Sequence, residues 1–298
     1  MTRDALLLGV DVGGTTTAAG AVTREGEVLV EQRALTHRDG EGHALTTIIE
    51  LLASVLGHAE RSGHAVAAIG VGVPGPVDAT LGRVGEHVPH VPELAGHPLA
   101  AELAERFRRP AFVDNDVNAL ALGEWMFGAG RGARSLVVLA PGTGFGAGIV
   151  LDGRLVRGAA GFGGELGHTP VKFDGPPCWC GGRGCLALYA SGRGVAEAAR
   201  EGDAVASAVV DEACRALGAM LGTIVNGLNP EVIVLTGGVA ESLVPLEAQI
   251  LERAAEYAFR AALAQTRVTI VPGDKRTSMR GAAALAIYET ERPLPSAG

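Results

Sequence analysis

The sequence predicts an α/β protein of two related halves whose loops converge on a cleft. Short apolar runs that end in polar or glycine-rich turns alternate with segments of helical periodicity. Two glycine–threonine hairpins occupy corresponding places in the halves, at residues 13–15 and 142–144. With 298 residues, 47% hydrophobic and 19% charged, the chain can form one large or two ordinary domains.

Composition excludes several classes of function. A formal net charge of −8 argues against a nucleic-acid-binding surface. No apolar run approaches the roughly 18 residues that a membrane-spanning helix needs. Residues 1–10 lack the pattern of a secretory signal peptide, so a cytoplasmic location is expected. In that compartment, clustered cysteines favour a metal site over disulfides.

The first half predicts a strand-rich segment followed by alternating helices and strands. Strands are expected at 6–12, 18–22, 27–33, 67–73 and 111–113, and helices at 42–62, 99–107 and 119–127, with 82–98 irregular.

The turn after the first predicted strand is a candidate phosphate site. Its backbone N–H groups and hydroxyls can hold phosphate oxygens, and Asp11 can engage Mg²⁺ through water. The residues proposed for it are Asp11, Gly13, Gly14, Thr15 and Thr16. An ordinary hairpin turn would also explain the glycines, and the pattern is not a Walker A loop.

Polar residues 114–118 follow the predicted strand at 111–113. The carboxyl end of a strand is where an open α/β sheet places its ligand chemistry, so Asn115 and Asp116 are candidates for catalysis or ligand binding. The alternative is helix capping by Asp116 or Asn118, but capping needs only one residue.

The second half repeats strands and helices around two further glycine turns. Strands are predicted at 135–140, 149–151, 232–235 and 268–271, and helices at 192–200, 204–225, after 240 and at 281–288. Gly142, Thr143 and Gly144 leave backbone N–H groups accessible to phosphate, whereas Gly237 and Gly238 suit an adenosine lying against backbone. Helix–strand packing alone could also require Gly237 and Gly238. The spacing of the glycines at 142–148 disfavours a dinucleotide fingerprint.

A histidine and three cysteines predict a structural zinc site. His168, Cys178, Cys180 and Cys185 supply one imidazole and three thiolates, which complete a tetrahedral set with no open position for a reacting water. Buried thiols or a disulfide are the alternatives. The fourth cysteine, Cys214, lies in an apolar helical pattern and is expected in the core. The braced loop would present Glu165.

These motifs together resemble the ROK family (repressors, open reading frames and kinases) of the actin-like ATPase superfamily. The resemblance covers about residues 5–288 and rests on five segments in the family's order: Leu8–Thr15, Gly70–Asp78, Val113–Ala119, Gly142–Gly148 and Thr236–Val239, together with Glu165–His168 and the cysteine cluster. It implies an actin-like, ribonuclease H-like fold of two α/β domains around a central cleft. The domains would be residues 1–117 and 118–281, with a helix near 282–298 packing back onto the first.

The resemblance also implies ATP-dependent phosphorylation of a hexose at its 6-hydroxyl, most commonly glucose. Asp116 would be the general base, and ATP, Mg²⁺ and structural Zn²⁺ the cofactors. It assigns sugar contacts to Gly75, Asn115, Asp116, Glu165 and His168. Members of the family tend to form homodimers or homotetramers.

Two positions and one loop depart from the family pattern. Ala187 replaces the glutamate that usually follows the last cysteine and contacts sugar, Thr16 replaces a common lysine, and the loop at 89–94 differs. The alternatives are therefore a kinase for fructose or for an N-acetylated sugar such as N-acetylmannosamine or N-acetylglucosamine, and a non-catalytic sugar or nucleotide sensor. A repressor is disfavoured because the first phosphate strand begins near residue 5, leaving no room for a DNA-binding domain before it.

Overall fold

The structure is a computed structural model and describes residues 4–37, 42–88, 90–194 and 203–291. The chain folds into two compact units. The first contains Met1–Gly128, Arg157–Gly163 and Lys275–Gly298, and the second contains Ala129–Val156 and Gly164–Asp274. The domain boundary at residues 117–118 and the central cleft stay predictions.

A five-stranded mixed sheet forms the centre of the first unit, in the order β3-β2-β1-β4-β7. Its strands are β1 (Leu6–Val12), β2 (Thr16–Val22), β3 (Val28–Leu35), β4 (Val66–Val73) and β7 (Ala111–Asn115), and a small ribbon pairs β5 (Val77–Asp78) with β6 (Arg83–Val84). The helices of this unit are α1 (Ala44–Arg61), α2 (Leu99–Phe107), α3 (Asp116–Phe127) and α9 (Lys275–Glu291). β1 is antiparallel to β2 and parallel to β4.

Every residue of β1 is buried because helices cover both faces of the sheet. Leu8 packs in a cluster with residues of α1, whereas Leu7 packs in a second cluster with residues of α9. Two glycines let α9 lie directly on the strands: a Cβ at Gly9 would lie 2.1 Å from the Met279 carbonyl oxygen, and one at Gly70 would lie 1.8 Å from that of Ala282. Larger residues there would push the helix off the sheet.

The second unit repeats the arrangement, with a five-stranded sheet in the order β10-β9-β8-β11-β12. Its strands are β8 (Leu136–Pro141), β9 (Phe145–Leu151), β10 (Arg154–Leu155), β11 (Val232–Leu235) and β12 (Arg267–Ile270). Its helices are α4 (Ala187–Ala190), α5 (Asp203–Leu228), α6 (Ala240–Leu243), α7 (Glu247–Tyr257) and α8 (Arg260–Leu263). In each sheet an antiparallel hairpin is followed by parallel strands, which confirms the predicted α/β class with two related halves.

Several elements extend beyond their predicted limits. α3 begins at Asp116 rather than residue 119, β9 at Phe145 rather than 149, and α9 at Lys275 rather than 281. The stretch at 82–98, predicted irregular, includes β6 and a 3₁₀ turn at Pro92–Leu94. Most of the helix predicted at 192–200 lies outside the described residues. Within the described ranges, every helix is too short or too polar to cross a bilayer.

Candidate functional site

The candidate residues fall into two groups, one in each unit. The first unit holds Asp11, Gly13, Gly14, Thr15, Thr16, Gly75, Asn115 and Asp116. The second holds Gly142, Thr143, Gly144, Glu165, His168, Cys178, Cys180, Cys185, Gly237 and Gly238.

The turn between β1 and β2 is fixed by hydrogen bonds. The Gly13 N–H donates to the Thr16 carbonyl at 3.2 Å, and the Thr36 hydroxyl donates to the Gly13 carbonyl at 2.5 Å. A Cβ at Gly13 would lie 2.8 Å from the Thr16 carbonyl oxygen, so the turn requires glycine. Thr15, at the tip, is exposed. A rigid turn with an exposed hydroxyl can hold phosphate oxygens.

Asp11 lies at the end of β1, close to this turn. Its side chain is only 10% exposed, and one carboxylate oxygen, Oδ2, accepts a hydrogen bond from Lys275 Nζ at 2.5 Å. Lys275 is the first residue of α9. The pair brings a cation to the candidate phosphate site from a distant part of the chain.

Asp116 is the first residue of α3, and its Oδ1 accepts a hydrogen bond from the Val117 N–H at 2.9 Å. Burial and the nearby charge of Asp11 raise the pKa of Asp116 to about 7, against the opposing effects of the Val117 N–H and Lys275. A carboxyl group with a pKa near neutrality can both accept and release a proton at physiological pH.

Asn115, not Asp116 or Asn118 as the capping alternative supposed, caps α3. Its side-chain oxygen accepts hydrogen bonds from the N–H groups of Val117 at 2.9 Å and Asn118 at 3.2 Å. Its amide nitrogen donates to the Gly75 carbonyl at 3.1 Å. Gly75 has a φ of +90°, which only glycine adopts at low cost. Asn115 therefore joins α3 to the Gly75 turn, and one amide proton stays available for a ligand.

A charge network centred on the buried Asp114 holds the segment that contains Asn115 and Asp116. Asp114, 1% exposed, accepts hydrogen bonds from Arg157 Nε at 2.6 Å and from Asn118 Nδ2 at 2.9 Å. Arg157 also donates to Glu289 of α9 at 2.5 Å. Burial lowers the pKa of Arg157, but Asp114 and Glu289 outweigh it and raise the pKa above its ordinary value. The network ties the end of β7 to α9.

Arg157→Leu is expected to lower the free energy of unfolding by about 3 kcal/mol, because it leaves the buried Asp114 carboxylate without its countercharge. Urea denaturation measures the loss. The matched control is Arg134→Leu, which removes an ion pair with Asp152 whose side chains are 78% and 77% exposed. That pair contributes at most about 1 kcal/mol. Equal losses in the two variants would contradict a supporting role for Arg157.

The two glycine turns of the second unit lie side by side. The Val239 N–H donates to the Pro141 carbonyl at 3.1 Å, which joins the turn after β11 to the hairpin of β8 and β9. Gly237 has a φ of +116°. Nothing lies within 4 Å of a Cβ built on Gly142 or Gly144, so packing does not explain these two glycines. Open space beside the backbone suits close approach of a ligand.

The four predicted zinc ligands come together in the second unit. The nitrogen and sulfur atoms that His168, Cys178, Cys180 and Cys185 offer all lie within 4.8 Å of one another. The Sγ atoms of Cys180 and Cys185 are 3.7 Å apart, and His168 Nδ1 is 3.6 Å from Cys178 Sγ.

These separations fit Zn²⁺. A tetrahedron with Zn–S and Zn–N bonds of about 2.3 and 2.0 Å has edges of about 3.8 Å between sulfurs and about 3.5 Å between sulfur and nitrogen. A disulfide would need sulfurs about 2.05 Å apart. Because Nδ1 faces the thiols, Nε2 of His168 would keep the proton and stay available as a donor. The exposed Trp179 ring stands edge-on to the His168 ring, with centroids 4.8 Å apart.

The turn that carries Glu165 packs against β9. A Cβ at Gly164 would lie 2.3 Å from the Ala147 carbonyl oxygen, and one at Gly167 would lie 2.0 Å from that of Phe145. The Glu165 carbonyl accepts the His168 N–H at 3.0 Å, while the residue itself is exposed. The placement of Glu165 opposite Asn115 and Asp116 by a bound zinc ion stays a prediction.

The sequence did not predict three side chains that contact the candidate residues or their neighbours, namely Lys275, Arg157 and Trp179. A signal existed for Lys275, because lysine is unfavourable in the first turn of a helix and so needs another reason to be there. Recognising it required the correct start of α9. Arg157 lies in a glycine-rich stretch with no periodicity, and nothing local indicates its partners.

Comparison with known proteins agrees with the architecture. Residues 7–289 match the model of the ROK family. A glucokinase of Thermotoga maritima is 32% identical over 311 residues, covering 94% of this chain and 96% of that protein. Other relatives include N-acetyl-D-glucosamine kinases and xylose repressors.

Two solved structures have the same fold. A ROK hexokinase from Thermus thermophilus, 31% identical, superposes with a TM-score of 0.83 and covers 97% of this chain and 100% of its own. A ROK family glucokinase from Streptomyces griseus, in complex with glucose and AMPPNP, is 30% identical with a TM-score of 0.73 and covers 94% of this chain and 99% of its own. The fold is therefore the actin-like ATPase fold that the resemblance implied.

Proposed function

The chain belongs to the ROK family, and from that membership we propose that it transfers the terminal phosphoryl group of ATP to the 6-hydroxyl of a hexose, with glucose as the first candidate. The observation that carries the proposal is Asp116, a carboxyl group of pKa about 7 in the same unit as Asp11 and the glycine–threonine turn. The glucokinases among the relatives support the choice of sugar.

The proposed reaction is a direct displacement. Asp116 accepts the proton of the 6-hydroxyl as the oxygen forms its bond to the γ-phosphorus. The bond between that phosphorus and the bridging oxygen breaks, and its electrons leave with ADP. Asn115, Glu165 and Nε2–H of His168 hold the other hydroxyls in this proposal, and they fix the reacting oxygen in line.

The phosphate groups are assigned to the glycine turns. The turn at residues 13–16 and the hairpin at 142–144 offer backbone N–H groups, and Gly237–Gly238 would take the adenosine. The carboxylate of Asp11 and the nearby threonine hydroxyls are the hard oxygen donors that Mg²⁺ prefers, with Asp11 acting through water. The ion would neutralise phosphate charge.

A screen of ADP release over sugars tests the proposal. The panel contains glucose, fructose, N-acetylglucosamine and N-acetylmannosamine, with Asp116→Asn as the blank. We expect the highest kcat/KM with glucose. A higher kcat/KM for another sugar would support the proposed kinase activity and replace glucose as the assigned substrate. No release with any sugar, although nucleotide binds, would favour the sensor instead.

Ala187→Glu is expected to lower KM for glucose about tenfold, because a charged acceptor gives roughly 1.4 kcal/mol of net hydrogen-bond energy. Ala187 is the half-buried first residue of α4, two positions after the zinc ligand Cys185. Steady-state kinetics measure the change.

Ala187→Gln is the matched control, since its neutral amide oxygen is a weaker acceptor of similar size. We expect KM to fall in the order Ala, Gln, Glu. An unchanged or higher KM for glucose in the glutamate variant would indicate a pocket adapted to another sugar.

A further inference from the structure

Lys275 lies beside the phosphate turn of the first unit. Its ammonium nitrogen is 2.5 Å from Asp11 Oδ2 and would be 3.2 Å from a Cβ built on Gly13. The side chain is 31% exposed, so a ligand arriving from solvent can reach it. Lys275 is in contact with the turn although 264 positions separate it from Asp11.

Local helix energetics do not favour a lysine at this position. Lys275 and Arg276 open α9, and the first turn of that helix contains no acidic residue. Backbone N–H groups make a helix N-terminus positive, so cations there are unfavourable by about 0.3–1 kcal/mol each. The ammonium group of Lys275 and the positive end of the helix therefore both lie next to the turn.

The turn has no cation of its own. Residues 6–22, which form β1, β2 and the turn, contain neither lysine nor arginine. Asp11 and Asp116 both contribute negative charge, and Asp11 raises the pKa of Asp116 while Lys275 lowers it. A nucleoside triphosphate brings several more negative charges to this place, so a nearby ammonium group has a large effect on its binding.

We propose that Lys275 binds the β- and γ-phosphate oxygens of the nucleotide and stabilises the charge that develops during phosphoryl transfer. The inference rests on the proposed function for the transfer itself, whereas the phosphate contact can be tested without it. Lys275 forms no covalent bond in the step: it exchanges its partner Asp11 for phosphate oxygens, and it supplies a positive charge to a turn in which Thr16 offers only a hydroxyl.

The test compares Lys275→Met with Arg276→Met. Arg276 is the next residue, 57% exposed, and pairs with Glu31, so its loss controls for removing a cation from the same helix turn. Isothermal titration calorimetry, with and without Mg²⁺, measures the affinities of AMP, ADP and ATP. We expect Lys275→Met to weaken ADP and ATP about tenfold and to leave AMP unchanged, and Arg276→Met to change none of them.

Kinetics and rescue complete the design. We expect Lys275→Met to lower kcat/KM for ATP on the order of 10²-fold, and Lys275→Arg or the added change Thr16→Lys to restore part of it. Equal weakening of AMP and ATP, or no weakening, would overturn the inference and leave a merely structural pair with Asp11. If Lys275→Met selectively weakens ADP and ATP binding but the original protein phosphorylates no sugar, the inference is retained and the proposed function is rejected.

Discussion

Asp116→Asn is expected to lower kcat for glucose by about 10²–10⁴-fold and to change the affinity for glucose by no more than a few-fold. Removing a general base loses proton transfer in the transition state, whereas the amide keeps the size of the side chain and its acceptor for the Val117 N–H. Coupled measurement of ADP release gives kcat, and calorimetry gives the sugar affinity. A variant within a few-fold of the original kcat would contradict the role of Asp116.

The pH dependence provides a second check on Asp116. A base works only when ionised, so with a pKa of about 7 we expect kcat/KM to fall as pH decreases below 7. The fall should approach tenfold per pH unit. A profile that stays flat down to pH 5 would show that the group is fully ionised there and that burial does not hold its proton.

Stability separates loss of catalysis from loss of folding in the Asp116 variant. The pKa in the folded protein is raised from 3.8 to about 7, so the stabilisation that protonation provides is complete below pH 4 and is lost as pH rises to 7. The neutral amide has no such dependence. At pH 8 Asp116→Asn should therefore melt at the same or a higher temperature than the original protein, and its advantage should shrink toward pH 4.

Cys180→Ser is expected to release zinc and to lower the thermal midpoint sharply. Apparent binding energies of structural Zn²⁺ in small sites are about 10–16 kcal/mol, and much of that energy stabilises the fold around the metal. Cys180 is exposed and lies 3.7 Å from Cys185, so the substitution removes a ligand without opening the core. Metal analysis and calorimetric melting measure the two effects.

Cys214→Ser is the matched control for the zinc prediction. Cys214 is fully buried in α5 and is not one of the four clustered residues, so its variant should keep one zinc per chain. It should melt only a few degrees lower, because a hydroxyl replaces a buried thiol. A wild-type protein that contains no zinc when purified in the absence of chelators would refute the site.

Local patterns made much of the molecule predictable. The zinc ligands lie within 18 residues of sequence, so their spacing alone indicates the set. Buried strands such as β4 follow from continuous apolar runs bounded by turns. The class of fold followed from the order of these elements, and the family followed from the motifs.

Competition between local partners limits what sequence can show. Residues 114–118 offer several side chains that can cap a helix, and backbone geometry decides that Asn115 does so while Asp116 begins the helix. Contacts between distant parts of the chain further limit what can be predicted from the sequence. Lys275, the partner of Asp11, lies 264 residues after it in the chain. Arg157, the partner of Asp114, lies 43 residues after it. Only folding brings these groups together.

The position of α9 determines when the first unit can finish folding during synthesis. Gly9 and Gly70 lie against the backbone of α9, so one face of β1 and β4 stays uncovered until residues 275–291 have left the ribosome. By then all of the second unit, which ends at Asp274, has been made. The half of the protein that is translated first is therefore the last to complete its core, and until then its central strands expose apolar surface of the kind that promotes aggregation.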